Sequence, residues 1–357
     1  MRVVYSVKKA AWTTGLACLA VFSADPAQAG INFTSGKVYI QQKVYDKACR
    51  FLELARREEP KNPEVYALLA FARAQQRQYA SAGAAFQIGI QLFSEKGDRK
   101  KIQELERNRL AVNALLYNAG IAAMNKAGGI AFDDERTSGD PGTPQGKIEK
   151  QYGPPGEYSR FTEAGRVQEF WYYPDSAIAF HFMPNSEEPT EIAYQHYEGF
   201  GDPQKAITDT TVFSPYDGGS YLAEAAYNFE LASYVDPTSW ETYQNLSFVM
   251  SKLGRTDDSM RAARRGLELK PDVARLHQNL RAAAMARGNR LFNAGDYPGA
   301  VRAYRQAMQV DPASSLGYIS RIADAWYKHA GPLPKGTERN AAYDSAASAY
   351  QQVLDLT

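Results

Sequence analysis

The sequence predicts a mainly α-helical protein, built as an α-α superhelix (a solenoid) of helical hairpins and interrupted by a small α+β insert. Three observations predict this fold class. Small and bulky residues recur at a spacing of 34, prolines follow several predicted second helices, and one internal stretch alternates apolar and polar residues between turn signals. Of the 357 residues, 44% are hydrophobic and 23% are charged, which is typical of a folded chain and argues against disorder.

The spacing of 34 is clearest in the predicted second helices. Ala48 is followed at that distance by Ala82, and bulky residues stand four positions after each of them, at Leu52 and Phe86. Ala225 begins the same pattern in a later unit. A small residue lets two helices cross closely, and the bulky one fills the gap to the neighbouring pair. Because one helix pair cannot bury its apolar face alone, we expect the pairs to stack.

Two units depart from this spacing. Pro271 and Pro312 are 41 residues apart, which is 34 plus two helical turns, so the helix after Pro271 should be two turns longer than usual. Ala300 and Ala346 are 46 residues apart, and we place the 12 extra residues in the loop HAGPLPKGTERN. Both departures therefore leave the paired helices intact.

Two segments resemble the tetratricopeptide repeat (TPR) family: DKACRFLELARREEPKNPEVYALLAFARAQQRQYASAGAAF and DPTSWETYQNLSFVMSKLGRTDDSMRAARRGLELKP. The resemblance covers most of 36–96 and 219–357. Arg73 departs from the family pattern, which usually has an aromatic residue there, and Ser247 replaces the usual glycine or alanine. The resemblance implies stacked helical hairpins whose first helices line a groove that binds proteins or peptides. The first-helix positions that match are Tyr66, Leu69, Ala70, Tyr243 and Leu246.

The third hairpin is interrupted by a stretch of different composition. Its first helix is expected at about 98–126 and its second at 220–235. Between them, QGKIEKQYGPPGEY predicts a short helix, and RVQEFWYY, AIAFHFM and TEIAYQHY predict a three-stranded antiparallel meander. This insert resembles the GWxTD and SmpA/BamE-like modules of the cell envelope over about 50 residues, although the Gly-Trp-x-Thr-Asp signature is absent.

Residues 1–29 have the pattern of a secretory signal. Basic residues precede the apolar run 10–24, and Ala27-Gln28-Ala29 forms a small-x-small cleavage site. We expect a periplasmic or secreted protein cleaved after Ala29, with an uncleaved anchor as the alternative. No other long apolar run predicts a membrane span. The expected organisation is a signal peptide at 1–29, N-terminal TPR-like repeats with the first helix of a split repeat at 30–128, an inserted α+β domain at 129–218 and C-terminal TPR-like repeats at 219–357.

Several classes of chemistry are excluded or disfavoured by the residues present. A net charge of +1 argues against a protein that grips nucleic acid by bulk charge. Cys49 is the one cysteine beyond the leader, so a cysteine-built zinc site or internal disulfide is excluded, and a buried structural thiol is favoured over a reactive one. We expect no cofactor and no metal. The acidic run 133–135 is interpreted as a solvated loop rather than a cation site.

A hydrolase with its site in the insert is the alternative from a different class. His181 and His196 lie on neighbouring predicted strands and would have to meet each other or an acid. Two histidines satisfied within the sheet are the favoured interpretation, so we expect a non-catalytic protein.

The main binding prediction comes from two short matches, YQNL at 243–246 and HQNL at 277–280. Their Gln-Asn pairs are 34 residues apart, which puts equivalent amides on successive first helices, where they can bond an extended peptide. The alternative is that the asparagines join neighbouring helices. The aromatic run 171–173 is either core or an exposed partner surface. The candidate binding residues are Gln244, Asn245, Phe248, Lys252, Gln278, Asn279, Trp171, Tyr172 and Tyr173.

These residues predict a protein- or peptide-binding scaffold of the cell envelope. A role as an accessory factor in outer-membrane or secretion-complex assembly is the alternative within that class, because the insert resembles envelope modules.

Overall fold

The computed structural model describes residues 30–129, 131–133, 140–183, 186, 188–193, 202–208, 219–310 and 315–356. They group into two compact units. The first contains the described residues of 1–122, 199–216 and 227–238, and the second those of 123–198, 217–226 and 239–357. The predicted fold class is confirmed: the protein consists mainly of TPR-like helical hairpins, with a small antiparallel sheet and its helix inserted among them.

The helices of the first unit form hairpins with short turns. Asn62 caps the third helix by accepting a hydrogen bond from the backbone N–H of Glu64 at 3.1 Å, and Pro63 occupies its first turn, where no backbone donor is lost. Buried Ala48, Leu52 and Ala55 line one side of the second helix. The first four helices are α1 (Ile31–Gln41), α2 (Tyr45–Glu58), α3 (Pro63–Gln75) and α4 (Tyr79–Glu95).

The hairpin predicted to be split by the insert closes as expected. Helix α5 (Arg99–Ala127) precedes the insert and helix α8 (Tyr221–Val235) follows it. Asn113 of α5 donates its side-chain amide to the carbonyl oxygen of Ala232 at 2.9 Å. At Gly120 a Cβ atom would lie 2.7 Å from the ring of Phe229, so glycine is what permits this close crossing. Between these helices lie α6 (Pro144–Tyr152) and the short α7 (Pro203–Ala206).

The sheet has five described strands rather than the three predicted. They pair antiparallel in chain order: β1 (Ala131–Asp133), β2 (Glu157–Glu163), β3 (Arg166–Tyr173), β4 (Ile178–Phe182) and β5 (Thr190–Ala193). The three predicted strands correspond to β3, β4 and β5. Strand β2 does not read as a strand in the sequence because the positions it buries are mostly polar, namely Glu157, Ser159 and Glu163 around Phe161.

The second unit continues with three more hairpins. They are α9 (Trp240–Lys252) with α10 (Thr256–Leu269), α11 (Ala274–Asn293) with α12 (Tyr297–Val310), and α13 (Ser315–Ala330) with α14 (Thr337–Leu356). Helix α11 has 20 residues against 13 in α9, which is the lengthening that the 41-residue spacing predicts.

Some predictions fall outside the described residues. The leader 1–29, the end of the third predicted strand with His196, and residues 134–135 of the acidic run are among them. Within the described parts, no helix combines the length and apolar character needed to cross a bilayer.

Candidate partner-binding surface

Helix α9 is held in place by its buried side. Ser239 caps its start, accepting from the N–H of Thr242 at 3.3 Å, and Tyr243 and Leu246 are fully buried. Gln244, Phe248 and Lys252 recur at intervals of four, so they share another side of the helix. Burial of one side therefore fixes the direction of the three predicted binding residues.

Phe248 is an exposed aromatic residue with a cation beside it. Its side chain is 37% exposed, and the Lys252 Nζ lies 5.6 Å from its ring centroid. A cation at this distance from an aromatic ring is attracted by the ring's electron density. Gln244, one turn before Phe248, is half-buried. This side of α9 thus presents an apolar ring flanked by an amide and a positive charge.

The two predicted Gln-Asn pairs differ in how far their side chains are committed to contacts within the protein. The Asn279 amide donates to the carbonyl of Gln244 at 3.0 Å and to the hydroxyl of Ser247 at 2.7 Å, so it joins α11 to α9. For Asn279 the interhelical interpretation is therefore the one the structure shows. It also explains the serine at 247, whose hydroxyl accepts this bond. Asn245 is half-buried, and Gln278 is exposed.

We define the α9–α11 surface as Gln244, Phe248, Lys252, Gln278 and Arg275. Arg275 is exposed and lies one turn before Gln278 on α11. Helix α11 contains four arginines and no acidic residue. The surface therefore offers amides, one exposed ring and positive charge.

The aromatic run 171–173 is core and not an exposed surface, which corrects the inclusion of Trp171, Tyr172 and Tyr173 among binding residues. Their exposures are 0%, 4% and 6%. Trp171 and Tyr173 pack with Phe180 and Phe182 of β4. The Trp171 indole N–H donates to Glu169 at 2.7 Å, so its polar edge is satisfied as well.

Strand β2 borders the α9–α11 surface because it is fixed to the end of α9. The Ser159 hydroxyl donates to the carbonyl of Lys252 at 3.0 Å. Glu157 accepts from the Thr256 hydroxyl at 3.0 Å and from Arg290 at 2.8 Å. Burial raises the pKa of Glu157 above its usual range, against the opposing effect of Arg290. These contacts depend on the register of the strand, so no sequence motif predicted them.

The remaining reactive candidates are structural in the described residues. His181 is fully buried, lies 2.7 Å from the Gln168 side-chain oxygen and stacks on Phe170 with centroids 4.1 Å apart. Burial raises the pKa of Cys49 to about 11, which disfavours its thiolate. Among the parts of the chain that the structure describes, no group of three or more potential ligands is placed to hold a metal ion.

Arg73, which departs from the family pattern, is also buried. Its guanidinium donates to the carbonyl of Ile207 and to Glu53 on α2. The arginine therefore ties the segment around α7 to the helical hairpins of the first unit.

No family model matches this chain. The Hsp70-Hsp90 organizing protein of wheat (Triticum aestivum) is 30% identical over 128 residues, which is 36% of this chain and 20% of that protein. The match thus spans about a fifth of the relative's length.

Two solved structures are similar over most of the chain. The TPR2AB domain of yeast Sti1 in a pHSP90 complex is 14% identical, covering 88% of this chain and 97% of the other, with a TM-score of 0.22. The TPR domain of P58(IPK) is 11% identical, covering 90% and 98%, with a TM-score of 0.20. The class is a TPR-type helical-repeat protein with an inserted antiparallel sheet, and that assignment rests on the hairpins and their 34-residue spacing.

Proposed function

We propose that the protein is a non-catalytic scaffold that captures a protein or peptide through the α9–α11 surface. The observation that carries the proposal is Phe248, a large apolar side chain left 37% exposed beside Lys252 on an otherwise well-packed helix. Exposed aromatic residues ringed by polar groups are typical energetic centres of interfaces.

The chemistry of the surface favours a partner segment with acidic side chains. Amide side chains both donate and accept, so Gln244 and Gln278 suit a peptide backbone. The positive charges of exposed Arg275 and of Lys252 beside Phe248 favour negative charge opposite them. The name of the wheat relative, an organizer of two other proteins, agrees with protein binding as the class of function.

Site-specific photo-crosslinking tests the proposal. A photoreactive amino acid is placed at position 248 or 278, with position 110 as a control, because Leu110 is 50% exposed on α5. We expect an adduct of one discrete mass from 248 and 278 and none from 110. The adduct at 278 should be lost when Phe248→Ala is added. No adduct at 248 and 278, or equal adducts at all three positions, contradicts the proposal.

We further propose that the protein acts in the cell envelope. The support is the leader-like sequence of residues 1–29 and the resemblance of the insert to envelope modules. An accessory role in outer-membrane or secretion-complex assembly is the more specific form of this proposal. Cell fractionation with intact-mass measurement tests the location: we expect a chain that begins at Gly30 in the envelope fraction. A chain that retains Met1 and stays in the cytosol overturns it.

A further inference from the structure

The first unit contains a cavity beside the short helix α7. Asp202 caps this helix by accepting from the backbone N–H of Gln204 at 2.9 Å, and Ile207 at its other end is fully buried. The cavity measures about 530 Å³ and lies between α4, Arg109 of α5 and the start of α7, all within the first unit. Pockets that hold small molecules generally enclose about 300–1,000 Å³, so this size suits a small ligand.

Part of the cavity wall is aliphatic. Ile88 of α4 lines the cavity and is buried in the core of the first unit, and Ile90, which also lines it, packs against that core. The half-buried ring of Pro203 adds a third apolar contact. These side chains favour a ligand with a hydrocarbon segment.

Two side chains that line the cavity carry a nitrogen atom without a hydrogen-bond partner among the described residues. The atoms are Gln87 Nε2 and Arg109 Nε, and both are shielded from solvent. Buried donors are seldom left unpaired in folded proteins, so each unpaired donor requires an explanation. Rotation about the end bonds of these two side chains can turn their N–H groups into the cavity, where a ligand oxygen would satisfy them.

The positive charge of Arg109 is only loosely matched by Asp236. The Arg109 Nη1 lies 3.7 Å from Asp236 Oδ1, which is beyond hydrogen-bond distance. That oxygen already accepts from the backbone N–H of Thr238 at 3.1 Å and from its hydroxyl at 2.6 Å. Because the edge of a guanidinium group matches the two oxygens of a carboxylate, Arg109 favours a ligand carboxylate over a neutral carbonyl group.

The outer part of the cavity is acidic. Glu95 of α4 and Asp202 line the cavity, and both are exposed. Gln91 donates to Glu95 at 3.1 Å, which orients that carboxylate. Two negative charges here disfavour a second carboxylate on the ligand and favour an ammonium group.

We propose that the cavity binds a small aliphatic molecule with a carboxylate at one end and an ammonium group at the other. The carboxylate meets Arg109 and Gln87, the hydrocarbon chain lies on Ile88, and the ammonium group lies near Glu95 and Asp202. This site belongs to the first unit and shares no residue with the α9–α11 surface, so the inference goes beyond the capture of a protein or peptide there.

Saturation-transfer NMR on the full chain tests the proposal with ε-aminocaproate as the probe. Caproate lacks its ammonium group, and hexylamine lacks its carboxylate. We expect ε-aminocaproate to bind most tightly, caproate more weakly and hexylamine least. Arg109→Met should weaken ε-aminocaproate about tenfold, because it removes a charge-assisted hydrogen bond. Glu95→Gln should weaken ε-aminocaproate but not caproate, a difference that a merely structural role of Glu95 does not produce.

Arg107→Met is the matched control. Arg107 is exposed on the same helix and donates to the carbonyl of Gln103 at 3.3 Å, within that helix. This variant should bind ε-aminocaproate as the wild type does, and circular dichroism should show all variants folded. If Arg109→Met does not fold, Gln87→Leu tests the carboxylate end in its place.

Four results overturn the proposal. They are a wild type that does not bind ε-aminocaproate, caproate or hexylamine binding as tightly as ε-aminocaproate, unchanged binding in the folded variant of the carboxylate end, and an equal loss in Arg107→Met. The last result would show that the effect comes from net charge on α5 and not from the cavity.

Discussion

Gly254 lies in the turn between α9 and α10, and its replacement by alanine tests whether strand β2 is docked on that turn. Its φ is +75°, and an added Cβ atom would lie 2.3 Å from the carbonyl oxygen of Tyr158 and 3.0 Å from the Ser159 Cβ. Gly295 is a matched control in the turn between α11 and α12. Its φ is +81°, and nothing lies within 4 Å of an added Cβ atom.

The two substitutions share one cost and differ in another. A side chain in the left-handed region costs about 1–2 kcal/mol at either position. At Gly254 alone, β2 must also withdraw by about 1 Å before ordinary contact is restored. That shift strains the bond from Ser159 to the Lys252 carbonyl and the bonds of Glu157 to Thr256 and Arg290. Each is worth about 1 kcal/mol, so we expect Gly254→Ala to lose about 2–3 kcal/mol more than Gly295→Ala.

Urea unfolding followed by circular dichroism measures both free energies of unfolding, and hydrogen exchange locates the effect. The amides of β2 should exchange faster in Gly254→Ala and be unchanged in Gly295→Ala. Equal losses of stability with unchanged exchange in β2 would refute the docking of the strand on the α9–α10 turn.

Two further predictions concern buried ionisable groups. Arg290→Met leaves Glu157 buried without its cation, which should lower the free energy of unfolding by about 3 kcal/mol at pH 8. Adding Glu157→Gln to this variant should recover most of that loss. Additive losses in a double-mutant cycle would show that the pair does not interact. Folding raises the pKa of Glu157 above its value in the unfolded chain. The contribution of this group to the free energy of unfolding is therefore greatest below the unfolded pKa and is lost as the pH rises through the folded pKa. The stability that Arg290→Met loses should accordingly shrink toward pH 5. Cys49, with a pKa raised to about 11, should react with iodoacetamide at pH 8 at least about tenfold more slowly than in the urea-unfolded chain, and equal rates measured by mass spectrometry would contradict that pKa.

The helical hairpins were predictable because stacking imposes a strict period on small and bulky residues. The spacing of 34 located α5 and α8 on either side of the insert to within a residue or so, and the 41-residue interval predicted the long α11. These features follow from helix geometry, which the order of residues records directly.

The sheet and the polar contacts were less predictable, because they depend on which residues meet in space. Strand β2 turns Glu157, Ser159 and Glu163 inward, so its pattern lacks the apolar alternation that marks a strand. The Gln-Asn pairs lie on α9 and α11, successive first helices as their spacing predicts, but the partners of Asn279 could not be read from the sequence. The successive aromatic residues of the run 171–173 point to opposite faces of β3, and all three are buried. Both faces of the sheet are therefore covered at this strand, which the sequence alone did not reveal.

The interrupted hairpin has a consequence for the order in which the chain acquires structure. Asn113 and Ala232 are joined by a hydrogen bond across 119 positions of sequence, whereas other hairpins close over a few residues. The entropic cost of closing a loop rises with that separation, and α5 is synthesised long before α8, the helix with which it pairs. Until α8 is synthesised, the part of α5 around Gly120, which Phe229 covers in the folded protein, has no helix packed on it, and such exposed surface favours aggregation of the nascent chain.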